Sequence, residues 1–281
     1  MSNFMSRTLT GIIYVAVIVA GICVNNYTFA ALSCLLAGLG VAEFTRITGQ
    51  RSTVTTLVDV AGAMIVVLGF DTSVMALRQG WSFPYAATWG MLFTAWLILR
   101  IVMQLYSHNP APLRVLATSL MAQLYIALPI GLMSVIYNHR AGHALLLAVF
   151  IMIWLNDTGA FLVGSRIGRR KLFERLSPKK SWEGFFGGMA FSIASAFVFY
   201  YGFATWYGCR PLWVMVTLGV IVPVLATWGD LAESMIKRTL KVKDSGHLLP
   251  GHGGILDRID SLLIAVPAVT VFLTFLDLLL G

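Results

Sequence analysis

Residues 234–260 read Ser234-Met-Ile-Lys-Arg-Thr-Leu-Lys-Val-Lys-Asp-Ser-Gly-His-Leu-Leu-Pro-Gly-His-Gly-Gly-Ile-Leu-Asp-Arg-Ile-Asp260. This crowd of cations, carboxylates and two histidines sits between the apolar runs 211–234 and 258–280. Charge is costly near hydrocarbon, so membrane proteins keep it out unless it is paired or used. Each flanking run is long enough to cross about 30 Å of hydrocarbon as a helix. The whole chain agrees: of 281 residues, 58% are hydrophobic and 11% charged, whereas soluble domains carry roughly 25% charged residues. The mean hydropathy is +0.82. These values define an all-α polytopic integral membrane protein.

The apolar runs predict about nine transmembrane helices, at 8–25, 27–45, 54–70, 84–106, 115–137, 143–164, 184–206, 211–234 and 258–280. The second and third of these are short and Gly-rich. Arg7 ahead of the first run resembles the start of a signal peptide, but no small-x-small cleavage pattern follows, so the run reads as an uncleaved first span. Nine spans place the termini on opposite sides. With the N-terminus cytoplasmic and the C-terminus outside, all of the 20 lysines and arginines except Arg78, Arg140 and Arg210 fall on the cytoplasmic side, Arg100 and Arg114 among them. That asymmetry is the positive-inside bias. It accounts for the formal charge of +8, with attraction to anionic lipid as a second consequence. The cations lie beside spans without any nucleic-acid motif, so nucleic acid is excluded as a partner. Cys23, Cys34 and Cys209 have neither metal-ligand spacing nor the pattern of a disulfide framework. His108, His139 and His143 have no partners at ligand spacing.

Carboxylates divide the chain. Apart from Glu43, Asp59 and Asp71, those of the first half are absent, whereas Asp157, Glu174, Glu183, Asp230, Glu233, Asp244, Asp257 and Asp260 lie on or near the cytoplasmic side. Residues 1–140 therefore read as a transmembrane scaffold. Residues 141–281 read as the catalytic region, with cytoplasmic loops 165–183 and 235–257.

Asp257 and Asp260 are three apart at the start of the last span, on one helix face. Two carboxylates so close repel unless a cation lies between them, which suits a hard metal ion; alternatively Asp257 pairs with Arg258 and caps the helix. Asp230, near the inner end of the eighth span, is the third metal candidate. Glu233 and Lys237 have the spacing of a structural ion pair. Asp157, inside the sixth span, needs a polar partner and is either a site residue, a helix–helix hydrogen-bond partner or a cavity wall. Pro250-Gly251-His252-Gly253-Gly254 leads into a helix N-terminus and can offer consecutive N–H groups to an anion, or it can simply reverse the chain. His252 is a phosphate contact or a base. Lys237, Arg238, Lys243 and Arg258 surround that turn. Ser177, Lys179, Lys180 and Ser181 interleave hydroxyls with cations, again suited to phosphate. Carboxylates for one or two Mg²⁺-like ions, cations and an anion-binding turn fit phosphoryl or nucleotidyl transfer between a cytoplasmic nucleotide and a lipid. A transporter would spread charge through the bilayer depth, and a non-catalytic lipid-binding protein has no need of such carboxylate spacing.

The stretch Ser234-x-hydrophobic-Lys237-Arg238, four residues, Lys243-Asp244, the 250–254 turn and Asp257-Arg258-Ile259-Asp260 resembles the signature of phosphatidate cytidylyltransferases. Trp154…Asp157…Phe161 and residues 177–184 resemble that family's upstream blocks, although Phe161 stands where the family is expected to carry Tyr or another aromatic. The resemblance implies the reaction of CTP with phosphatidic acid to give CDP-diacylglycerol and pyrophosphate. It implies Mg²⁺, with room for a second cation such as K⁺, a bacterial inner-membrane location with the active site facing the cytoplasm, membrane-lipid contacts and a homodimer. Asp230, Asp257 and Asp260 fall on the family's metal-binding carboxylates. Lys237, Arg238 and Asp244 then read as catalytic. Asp157, Ser177, Lys179, Lys180, Ser181, Ser234, Lys243, His252, Gly253, Gly254 and Arg258 read as substrate-binding. A CTP-dependent transferase or kinase acting on another lipid phosphate is the nearest alternative.

Overall fold

The computed structural model describes residues 3–50, 52–80, 82–246 and 253–280. Its helices are α1 (Asn3–Cys23), α2 (Asn26–Ile47), α3 (Thr53–Arg78), α4 (Ser82–Leu105), α5 (Pro112–Ala122), α6 (Leu128–Tyr137), α7 (Gly142–Ile167), α8 (Trp182–Gly202), α9 (Leu212–Thr239) and α10 (Leu256–Leu280). A π-helical turn, Gln123–Ala127, joins α5 to α6. Among the described residues, eight helical rods are long and apolar enough to cross a membrane, the α5–α6 rod counting as one; α1 adds a shorter apolar stretch, Thr8–Cys23. The protein is an all-α polytopic membrane protein to which one small hairpin is added.

Local chemistry sets the ends of these rods. Asn25 and Thr28 form a reciprocal capping box, Thr28 N–H donating to Asn25 Oδ1 at 2.9 Å and Asn25 N–H to Thr28 Oγ1 at 3.1 Å. Ser52 caps α3 through Thr55 N–H at 3.3 Å. The π turn falls just before Pro129, whose missing N–H and bulky ring disfavour regular i→i−4 bonding there. The third span, expected at 54–70, continues to Arg78, because Asp71 and Ala76 are buried rather than exposed at a loop. The expected loop 235–257 likewise begins only after Thr239. The expected loop 165–183 folds as an antiparallel hairpin, β1 (Lys171–Phe173) with β2 (Ser177–Ser181), pairing Lys171 with Ser181 and Phe173 with Ser177.

The chain forms two units. The first comprises Met1–Val135 and Asp244–Arg258. There Trp96 lies against Gly62, where an added Cβ would approach the indole to 2.5 Å, and donates its Nε1–H to the Val58 carbonyl at 2.8 Å. Arg100, counted from sequence as a loop cation, is instead 1% exposed inside α4. Its Nε donates to Asp59 Oδ1 at 2.7 Å, its Nη2 to Ser119 Oγ at 2.5 Å, and Ser119 donates on to Asp59 Oδ2 at 2.8 Å. A buried arginine and a buried carboxylate neutralise each other, so neither adds to the cytoplasmic charge.

The second unit comprises Ile136–Lys243 and Ile259–Gly281. Helices α7 and α8 meet along glycines, which let backbones approach where helices cannot rely on the hydrophobic effect to associate. A Cβ on Gly184 would reach the Ala160 carbonyl at 2.9 Å, and one on Gly188 would collide with Asn156. Helices α9 and α10 approach in the same way at Gly229, where a Cβ would lie 2.9 Å from Ser261 Cα. Toward the other end of this unit, His139 Nε2 lies 2.8 Å from Asp277, and Arg210 donates to His139 Nδ1 at 2.6 Å and to the Arg140 carbonyl at 3.1 Å. Burial lowers the Arg210 guanidinium from its ordinary range.

Candidate active site

The close α7–α8 crossing leaves a cavity of about 570 Å³ in the second unit, bounded by both helices, the hairpin and α9, its lining largely apolar but set with charged side chains. Its walls carry Asp157, Lys179, Lys180, Ser181 and Asp230, all chosen from sequence, together with Asn156, Ser165, Lys171 and Thr227. Two carboxylates and three lysines on one cavity inside a membrane protein make a site for a polyanion or a metal–anion pair.

The hairpin brings the lysines to this wall. Glu183, in the first turn of α8, accepts the backbone N–H of Arg169 at 3.1 Å and of Arg170 at 3.2 Å. Trp182 N–H donates to the Arg170 carbonyl at 2.9 Å. These bonds tie the start of the hairpin to its end. Ser181 is buried, and its Oγ accepts Gly184 N–H at 3.1 Å as the α8 N-cap. Its first role is thus to start a helix while it also borders the cavity. Ser177 and Lys179 lie on the same strand, Lys179 exposed.

Lys180 Nζ lies 2.5 Å from Asp230 Oδ2. Ser234, one turn along α9, donates to Asp230 Oδ1 at 3.3 Å. Asp260, on α10, accepts Ser261 N–H at 2.6 Å and lies within Coulombic reach of Asp230, Asp157 and Lys180. Among the described residues, no group of three His, Cys, Asp or Glu side chains is arranged to hold a metal ion. The pair Asp230 and Asp260 nevertheless fits a hard divalent cation by donor chemistry. Both offer carboxylate oxygens, their mutual repulsion favours a cation between them, and Lys180 is the cation that the structure places on Asp230.

Asp257, the third carboxylate of the expected metal set, belongs to the first unit. Its Oδ2 accepts Gly254 N–H at 2.9 Å and both the N–H and the hydroxyl of Ser245 at 3.0 Å. Glu43 on α2, 5% exposed, accepts Leu256 N–H at 3.0 Å and the Ser245 hydroxyl at 3.1 Å. The N–H of Gly254, expected to face an external anion, is therefore committed to a carboxylate of the protein itself. Asp257 thus ties Ser245 and Gly254, which precede α10, to the first turn of that helix. Gly253 has φ +83°, a left-handed conformation that glycine adopts without strain. Glu43 carries no local signal for this role, since its partner Ser245 is 202 residues away.

The remaining candidates are placed as follows. Lys237 pairs with buried Glu233 at 2.6 Å, the i,i+4 ion pair that their spacing allowed. Arg238, Lys243, Asp244 and Arg258 are exposed. The Arg258 carbonyl accepts a hydrogen bond from Tyr14 at 3.3 Å. His252, with Pro250 and Gly251, lies outside the described residues.

Carboxylates and lysines around one cavity of a polytopic membrane protein are chemically suited to a phosphorylated ligand. The chain is a member of the cytidylyltransferase family, whose model matches residues 5–276. It is 46% identical over 142 residues to a phosphatidate cytidylyltransferase of Haemophilus influenzae, covering 50% of this chain and 49% of that protein. It is 38% identical over 157 residues to one of Staphylococcus epidermidis, covering 56% and 58%. A Staphylococcus aureus phosphatidate cytidylyltransferase matches at 38% over 159 residues, with the same coverage. The matched segments thus span about half the length of each relative.

Proposed function

We propose that this protein transfers the cytidylyl group of CTP to phosphatidic acid, giving CDP-diacylglycerol and pyrophosphate. The observation that carries the reading is the cavity in which Lys180 contacts Asp230 with Asp157, Lys171 and Lys179 on the same wall. Family membership and the names of the relatives support the choice of nucleotide and lipid.

Lys171, Lys179 and Lys180 neutralise the polyphosphate and draw it into the cavity, where a lowered dielectric strengthens each contact. Asp230 and Asp260 would hold the cation, Mg²⁺ in this reading. When bound, it would neutralise phosphate charge and fix the reacting oxygens in line. A phosphatidate oxygen attacks the α-phosphorus, forming one P–O bond. The bond from that phosphorus to the β-phosphate bridging oxygen breaks, and pyrophosphate leaves with its electron pair. A phosphate monoester is already anionic at neutral pH, so no side chain need remove a proton. Ser234 steadies Asp230, and Glu183 fixes the hairpin that presents the lysines. The cation-rich loops argue for a cytoplasmic opening in a bacterial inner membrane, and the protein is proposed to act as a homodimer.

The test is purified protein in lipid nanodiscs with labelled CTP, Mg²⁺ and a panel of lipid phosphates. CDP-lipid and pyrophosphate should appear in equal amounts, with phosphatidate preferred. Product from a different lipid phosphate alone would shift the reading to a related transferase. CTP left unconsumed with every lipid would overturn it.

A further inference from the structure

Asp230 and Asp260 stand on different helices, so their spacing depends on how closely α9 and α10 approach. Gly229, next to Asp230 in the chain, is buried where the two helices meet. A Cβ there would lie 2.5 Å from the carbonyl oxygen of Asp260 itself, 3.2 Å from its carbonyl carbon and 2.9 Å from Ser261 Cα. All three are backbone atoms, which cannot turn aside as the end of a long side chain can. Carbon atoms in ordinary contact sit about 3.5–4.0 Å apart, so a methyl group would part the helices by roughly 0.6 Å or more. That parting would fall at the two carboxylates.

The carboxylates would follow their backbones. Asp260 Oδ1 accepts the adjoining Ser261 N–H at 2.6 Å, and Asp230 Oδ1 accepts the Ser234 hydroxyl, one turn along the same helix, at 3.3 Å. Each is thus tied to its own helix, and a shift of that helix passes to its oxygens. Cation size responds to a shift of this magnitude. Mg²⁺ sits about 2.0–2.1 Å from each ligand oxygen and Ca²⁺ about 2.3–2.6 Å, so the span across two bonds differs by roughly 0.5–1 Å. Gly219 offers a contrast on the same helix. A Cβ there would lie 3.1 Å from Ile193 Cα on α8, a close approach about 16 Å along α9 from Asp230.

We infer that Gly229 is a positioning residue: by letting the α9 and α10 backbones touch, it sets the Asp230–Asp260 spacing and so the size of cation the pair accepts. The inference rests on the proposed reading in which these two carboxylates hold the cation. The test is Mn²⁺ binding to the nucleotide-free protein in lipid nanodiscs, followed by electron paramagnetic resonance, with Mg²⁺ and Ca²⁺ as competitors. Gly229→Ala should shift the competition about tenfold or more from Mg²⁺ toward Ca²⁺, whereas Gly219→Ala should stay within about threefold of the wild type. Asp230→Glu alone, adding a methylene to an unwidened gap, should weaken Mg²⁺ competition about tenfold. Combined with Gly229→Ala, the longer side chain should span the widened gap and recover Mg²⁺ to within about threefold, a compensation that loss of packing alone would not produce. An unshifted preference in Gly229→Ala, or an equal shift in Gly219→Ala, overturns the inference. So does Asp230→Glu competing as the wild type does, which decides the matter even where Gly229→Ala cannot be recovered folded. A wild type that binds no Mn²⁺ overturns both the inference and the metal part of the proposed reading. The expected shift without any CDP-lipid formation leaves the positioning role standing and overturns the transfer reading alone.

Discussion

Replacing Arg100 with methionine should be among the most damaging single changes in the first unit. Asp59 is 0% exposed and Arg100 1% exposed, with Nε to Oδ1 at 2.7 Å. Methionine preserves most of the side-chain volume but withdraws the charge, leaving Ser119 as the donor to a buried carboxylate. Removing one partner of a buried ion pair costs about 3–5 kcal/mol, because the other charge stays desolvated. At 1.4 kcal/mol per decade, that is roughly a hundredfold to several-thousandfold fall in the folded-to-unfolded ratio. Converting the pair together, Asp59→Asn with Arg100→Met, removes the stranded charge and should recover stability to within about 1–2 kcal/mol of the wild type. The assay is unfolding in mixed micelles by SDS titration, followed by tryptophan fluorescence. Trp96, bonded to the Val58 carbonyl next to Asp59, is a local reporter. The reasoning is refuted if Arg100→Met unfolds within about 1 kcal/mol of the wild type, or if the double variant is as unstable as the single one.

Other outcomes follow from the same geometry. Lys180→Met should lower CTP-dependent turnover about a hundredfold or more, and Lys180→Arg should restore part of it, measured as initial rates of CDP-lipid formation. Glu43→Ala strips acceptors from Ser245 and Leu256 and should destabilise the protein by about 2–4 kcal/mol, measured by the same unfolding titration. Gly188→Ala places a methyl group on Asn156 and should lower the melting temperature, a cost of about 1–3 kcal/mol; an unchanged melting temperature would contradict the close α7–α8 approach. Chelating divalent cations with EDTA should abolish turnover, with recovery on adding Mg²⁺ in excess.

What could be read from the sequence was whatever depends on residues close together along the chain. Hydropathy sums over contiguous residues, so the spans at 143–164 and 258–280 lie within a few residues of α7 and α10. The i,i+4 pair Glu233–Lys237 was legible for the same reason. The lysine and aspartate types of the cavity were visible as a cluster on one side of the membrane, but their pairing was not. Lys180 reaches Asp230 across fifty positions of chain, a contact made by the crossing of α7, α8 and α9 rather than by spacing. Asn156 and Thr227 look like isolated polar residues in apolar runs, and only the folded structure brings them to one cavity. Arg100 was misplaced because sequence counts charge without seeing burial, and Asp59 hides it from solvent. Glu43 waits on a partner 202 residues away. The sequence by itself thus determined the membrane class, the helical rods and the chemical types at the site. Tertiary structure decided which charges meet, because helix packing brings distant residues to hydrogen-bonding distance and sets which buried groups find partners.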